Sequence, residues 1–156
     1  MGRKRSAGIL PFRVVGGSVE VLVGHMGGPL WARRDAGAWT VIKGEPGPDE
    51  PPLTAARREF VEELGFSAPD GEFVPLGEVK QAGGKVVTAW AVGAEVDRTR
   101  FAPGTFTMEW PRGSGTVREF PEIDRIEWLL VEVAREKLVT AQREFLDRLL
   151  TSLGRG

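Results

Sequence analysis

Cysteine is absent from the 156 residues, so the chain has no disulfide and no thiolate chemistry. That suits a reducing compartment. No apolar run approaches the roughly 18 residues of a membrane span. The first residues, 1–5, are basic, but no apolar signal core follows them. A cytoplasmic protein is expected, with no membrane partner. Charge of one sign is lacking too: 21 basic residues face 22 acidic ones. With no global field, no stable nucleic-acid partner is expected. Histidine occurs once, at His25, which reads most simply as a strand-end residue making a structural hydrogen bond. The length suits one domain with one core, spanning residues 1–156, and no internal repeat is evident.

What the chain does have is concentrated between Gly44 and Phe66. Gly and Pro crowd 44–48, so a loop is expected there. Asp49 or Glu50 can cap a helix, and Pro51 or Pro52 fits its first turn. Gly65 is placed as the left-handed stop, leaving a helix of about four turns. Leu53, Ala56, Phe60 and Leu64 fall on one stripe, which should pack on a sheet. Glu59, Glu62 and Glu63 share a neighbouring face at i, i+3 and i+4, and the small Ala55 leaves room one turn earlier. Like charges so spaced repel, and only Arg58, four residues before Glu62, is placed to reach one of them. Such a cluster is either a solvated acidic face or a site for a hard divalent cation, which takes oxygen ligands together with substrate phosphates.

Gly44, Glu50, Arg58, Glu59, Phe60, Glu62, Glu63, Gly65 and Phe66 fill every specified position of the Nudix box, so the chain resembles the Nudix hydrolase family. The resemblance implies an α/β fold, the three-layer α/β/α sandwich with a mixed central sheet between helices. It implies Mg²⁺ as cofactor, with Mn²⁺ as a substitute, held by Glu59, Glu62, Glu63 and the Gly44 carbonyl. Arg58 looks like the residue that orients a box carboxylate, and Glu50 like an acid of structural or outer-shell role. One further metal-binding or base glutamate often precedes the last strand in this family; Glu122 fits best and Glu119 second, and both can equally be solvated loop acids. Glu59, Glu63 and Glu122 are then the candidates for general base.

The implied reaction is Mg²⁺-dependent hydrolysis of a phosphoanhydride in a nucleoside diphosphate linked to another group. The other class left open is a Nudix-fold nucleotide-binding or sensor module without catalysis. Lys43, directly before Gly44, is a natural phosphate contact. Trp31 and Trp39 could stack on a base, or simply pack. The Trp39, three residues, Lys43-Gly44 run resembles members acting on long polyphosphates such as dinucleoside polyphosphates; those carry Pro before the Lys, where this chain has Ile42. Flanking signatures of NADH-type or coenzyme-A-type members are absent. Nucleoside triphosphates and dinucleoside polyphosphates are the favoured substrates, with nucleotide sugars third. Assembly as a homodimer stays open.

Elsewhere the pattern is local. Gly16-Gly17-Ser18 and Gly83-Gly84 each mark a hairpin, joining 6–14 to 19–26 and 72–80 to 85–94. Pro11 suggests an edge strand or bulge. The segments 39–42, 106–110 and 125–131 read as further strands, and 95–104 as loop. A short helical segment at 132–138 precedes a longer helix capped by Thr140, with Ala141, Phe145, Leu149 and Leu153 on one stripe and Gly154 as its stop. That helix should cover one face of the sheet and the box helix the other.

Overall fold

Gly16 and Gly17 take φ of 56° and 83°, the left-handed pair that suits a two-residue hairpin. In this computed structural model, which describes residues 4–155, they fold β1 (Arg5–Val15) onto β2 (Ser18–Met26). The two strands then diverge, and residues 39–44 fill the gap between them. β3 (Trp39–Thr40) pairs with β2, and β4 (Ile42–Gly44) pairs with β1. The single short strand expected at 39–42 is therefore two, broken at Val41. The buried side chain of Gln142 accounts for the break: its Oε1 accepts from the Val41 N–H at 2.8 Å, and its Nε2 donates to Thr40 Oγ1 at 3.0 Å. A backbone donor that leaves the ladder inside a core needs such a partner.

Pro11 corrects an expectation. It lies in β1, the middle of the sheet, opposite Val92 of the parallel neighbour β6 (Val86–Gly93). The Phe12 carbonyl accepts from Ala94 N on the β6 side, so Pro11 faces the other way. There β1 exchanges β4 for β2 as partner, and a missing N–H costs no ladder bond.

β5 (Val74–Lys80) and β6 form the second hairpin, and β9 (Ile123–Leu130) pairs with β2. The result is a seven-stranded mixed sheet. Sequence reading missed one strand. Besides β7 (Thr105–Glu109) there is β8 (Val117–Pro121), and the two form a separate antiparallel ribbon that carries Glu119.

One face of the sheet, with Ile9, Leu22 and Ile42, packs on Phe60 and Leu64 of α1 (Pro52–Leu64). The other, with Leu10, Val21 and Ala89, packs on Phe145, Leu146 and Leu149 of α3 (Arg143–Ser152) and on α2 (Val131–Lys137). The two helix layers fall as expected, but their starts do not. Pro51, not Asp49 or Glu50, occupies the cap position of α1 and offers no side-chain bond. Thr140 begins a 3-10 turn that runs into α3 and caps nothing. Leu53 is only half-buried, while Ala55, on the same helix, is fully buried. Gly65, at φ 83°, stops α1 as anticipated. Among the described residues no helix is long and apolar enough to cross a membrane.

Candidate active site

α1 brings its acids to the mouth of β4. Gly44 makes this approach feasible: a Cβ there would lie 2.0 Å from Glu59 Cδ, so the carboxylate rests directly against bare backbone. No left-handed φ is involved at Gly44, and the crowding atom is the end of a flexible side chain. Gly44→Ala is therefore expected to leave the fold melting near the wild-type temperature while swinging Glu59 away and cutting turnover at least tenfold. Thermal melts beside initial rates check this, and unchanged rates would remove Glu59's position from the chemistry.

Arg58 does more than its spacing suggested. Its Nε and Nη2 donate to the two oxygens of Glu50 at 3.0 and 2.9 Å. Its Nη1 donates to Glu59 at 2.9 Å and to Glu62 at 3.1 Å, and Nη2 also reaches the Glu45 carbonyl. One guanidinium thus spans three acids, where the sequence offered it Glu62 alone. These bonds and the Gly47 N–H hold Glu50 at a pKa of about 2. That carboxylate is committed to the loop, as an outer-shell acid would be.

Glu63 has a different environment. It lines a cavity of about 140 Å³ with Lys43, Glu122, Thr40, Met26 and Ile123. Burial pushes its carboxyl up to about 7; Glu122, Glu59 and Glu62 add to that, and Lys43 opposes it. Burial likewise raises Glu59, against the pull of Arg58. Lys43 is pushed down to about 8 by burial and by the neighbouring Lys85. Glu122 is held by its backbone: its N–H donates to the Gly104 carbonyl, and its carbonyl accepts from Gly27, both at 2.9 Å. The loop carrying Gly104 packs on the end of α1, where Ala102 N–H donates to the Leu64 carbonyl at 2.8 Å. This loop is the physical link between the box and a glutamate far along the chain. Glu119, by contrast, sits exposed on β8 opposite Thr107.

The donor set suits a hard divalent cation: carboxylate oxygens, two of them on acids raised by burial, beside a backbone carbonyl. Glu59, Glu62, Glu63 and the Gly44 carbonyl could hold it. Among the described residues no three acid or imidazole side chains converge on one point. Arg58 draws Glu59 and Glu62 to itself instead.

Trp39 is 2% exposed and belongs to the core on the α3 side. Its Nε1 donates to Asp35 at 2.9 Å, His25 meets it edge-on, and Arg125 and Lys137 lie over its ring. No face is left for a base, so the packing alternative describes it. Trp31 is only half-buried, at the mouth of a separate apolar cavity. His25 is structural, as read: it is fully buried, bonded to Asp124 at 2.8 Å and to the Arg34 carbonyl at 2.7 Å.

The NUDIX domain model matches residues 2–149. The chain belongs to the Nudix family. Solved Nudix structures share its fold. An Ap4A hydrolase of C. elegans, solved as a binary complex, is 21% identical, with a TM-score of 0.66 over 97% of this chain and 98% of that one. The Nudix domain of Shewanella oneidensis NrtR, in complex with ADP ribose, is 10% identical, with a TM-score of 0.64 over 98% and 90%. A mutT/nudix family protein from Listeria innocua is 15% identical, with a TM-score of 0.63 over 99% and 96%. At such identities the likeness is one of fold. No curated protein matches the sequence.

Proposed function

We propose that this Nudix protein hydrolyses a phosphoanhydride bond in a nucleoside diphosphate linked to another group, with Mg²⁺ or Mn²⁺ as cofactor, in the cytoplasm. Nucleoside triphosphates and dinucleoside polyphosphates are the first substrates to assay. The carrying observation is Glu63, a half-buried acid crowded by Glu59, Glu62 and Glu122 and faced by Lys43. Such crowding is costly until a cation relieves it. A bound divalent ion supplies charge neutralisation at the phosphates and an acidified water.

The chain's own residues do the rest. Arg58 fixes the directions of Glu59 and Glu62. Lys43, on the cavity wall, meets phosphate oxygens. Glu59, Glu63 and Glu122 are the candidates to take a proton from water, and pH–rate profiles of the three Gln variants will choose among them. The test of the function is formation of nucleotide products, separated by chromatography, from ATP, a dinucleoside tetraphosphate and ADP-ribose, with Mg²⁺ and with excess EDTA. Full activity in EDTA would overturn the metal reading. Tight binding without turnover would favour the sensor module.

Glu63 also makes a stability prediction. Its pKa in the folded chain, about 7, exceeds the ordinary 4.5. Between those values the folded state holds more protons than the unfolded one, so stability falls as pH rises through the window. Metal-free protein should therefore melt lower at pH 7 than at pH 5, and Glu63→Gln should flatten that slope. Mn²⁺ affinity, read by electron paramagnetic resonance, should weaken as pH falls through the same window. A slope shared by wild type and Glu63→Gln would assign it to other groups.

A further inference from the structure

Glu122 is exposed, so packing around its side chain does not hold it. Its backbone does, and the partner on each side is a glycine. Gly104 accepts from the Glu122 N–H and Gly27 donates to the Glu122 carbonyl, both at 2.9 Å. Neither glycine takes a left-handed φ, so no turn demands them. Close approach does. A Cβ on Gly104 would lie 2.5 Å from the Glu62 carbonyl oxygen, and one on Gly27 would overlap the carbonyl oxygen of Pro121. Both obstacles are backbone and cannot swing aside as the Glu59 side chain beside Gly44 can. Gly104 thus keeps its segment against the last turn of α1, and Gly27 keeps the end of β2 against the start of β9. The ribbon of β7 and β8 closes the stretch between: Thr105 pairs with Pro121, and Gly104 meets Glu122 as the next rung.

We propose that Gly27 and Gly104 are positioning residues of the active site, a clamp that holds the Glu122 carboxylate on the wall of the Lys43–Glu63 cavity; this rests on the hydrolysis proposed above. The register of β9 serves the same end. It slips against β2 between His25 and Met26, so Ile123 and Ile126 both pack on the α1 side. Strict alternation from Ile126 would aim Glu122 under α1. The slip gives that place to Ile123 and turns Glu122 to the side of Lys43, which alternates with the α1-facing Ile42. Glu122 and Lys43 then line one cavity with Glu63. An alanine at Gly104 would push its segment off α1 by about 1 Å, the gap between 2.5 Å and ordinary contact, and would carry Glu122 with it. A misplacement of that size costs up to about 10²-fold in rate.

Amide hydrogen exchange and a double-mutant cycle test this. In the wild type the Glu122 N–H, though on an exposed residue, should exchange slowly, and Gly104→Ala should speed it. Rates are read on whichever of ATP, a dinucleoside tetraphosphate and ADP-ribose the wild type hydrolyses. Gly104→Ala and Gly27→Ala should each lower kcat by roughly 10–100-fold and leave KM nearly unchanged. Glu122→Gln should lose at least as much. Made in the Glu122→Gln background, either alanine should cost nothing further, because the clamp has no carboxylate left to position. A loss repeated in full in that background would make the glycines structural and overturn the proposal. So would a wild-type rate in Glu122→Gln, or a Glu122 N–H that exchanges as fast as in a free peptide. Those last two readings need no glycine variant, so they decide even where an alanine variant fails to fold. Turnover with an additive cycle would sink the clamp and leave the hydrolase standing. Wild-type protein inert on all three substrates would overturn both.

Discussion

Glu62→Gln is expected to lower turnover by roughly 10²–10⁴-fold, the range for losing a group that handles charge in the transition state. The substitution keeps shape and removes the negative charge. Glu62 is the box acid best suited to this test because it is 55% exposed and tied to the fold only through Arg58 among the contacts described. An exposed i,i+4 pair of this kind contributes about 0.3–0.5 kcal/mol, so the melting temperature should barely move. Loss of rate with retained stability therefore reports chemistry. Mn²⁺ affinity should weaken in parallel. If Glu62→Gln turns over like wild type at saturating Mg²⁺, Glu62 is a surface acid and the metal set must be drawn from Glu59 and Glu63.

Arg58→Lys should cost about 10–100-fold in turnover, the usual range for losing a side chain that orients metal ligands. Charge is kept, so a purely electrostatic role for Arg58 would survive the change. Geometry is what goes. The guanidinium donates in two directions to Glu50 while its third nitrogen serves Glu59 and Glu62. An ammonium donates from a single point and cannot span all three. Glu50 gives a readout separate from activity. Its pKa of about 2 rests first on Arg58, so in the Lys variant it should climb back toward its ordinary 4.5. In the wild type, what Glu50's ion pair adds to stability is fully present above the ordinary 4.5 and is lost progressively as pH falls from there to about 2. In the variant that contribution should shrink as the Glu50 pKa climbs back. Carboxyl titration by NMR checks both points. Wild-type turnover with an unmoved Glu50 would reduce Arg58 to a surface charge.

The departures from sequence reading share a cause. Asp49 and Glu50 were the chemically reasonable caps, yet Glu50 turned to Arg58 and Gly47, because an ion pair competes with a capping bond for the same oxygens. Pro11 obeyed its chemistry in a place the sequence could not show, the point where a central strand changes partners. β8 was hidden because Val117–Pro121 has little apolar alternation, and pairing with β7 supplies what its own residues lack.

The sequence by itself determined what depends on neighbours along the chain. The periodicity of α1, the glycine turns at 16–17 and 83–84, the stop at Gly65 and the spacing of Glu59, Glu62 and Glu63 are all local, as is the box that places the chain in its family. Only the tertiary structure decided which distant groups meet. It set Glu122 across a cavity from Glu63 by hanging its backbone between Gly104 and Gly27. It sent Trp39 into the core and left Trp31 beside Phe106. The physical reason is that helix and turn preferences act over a few residues, whereas burial, and the carboxyl shifts that follow from it, depends on every layer packed above a side chain.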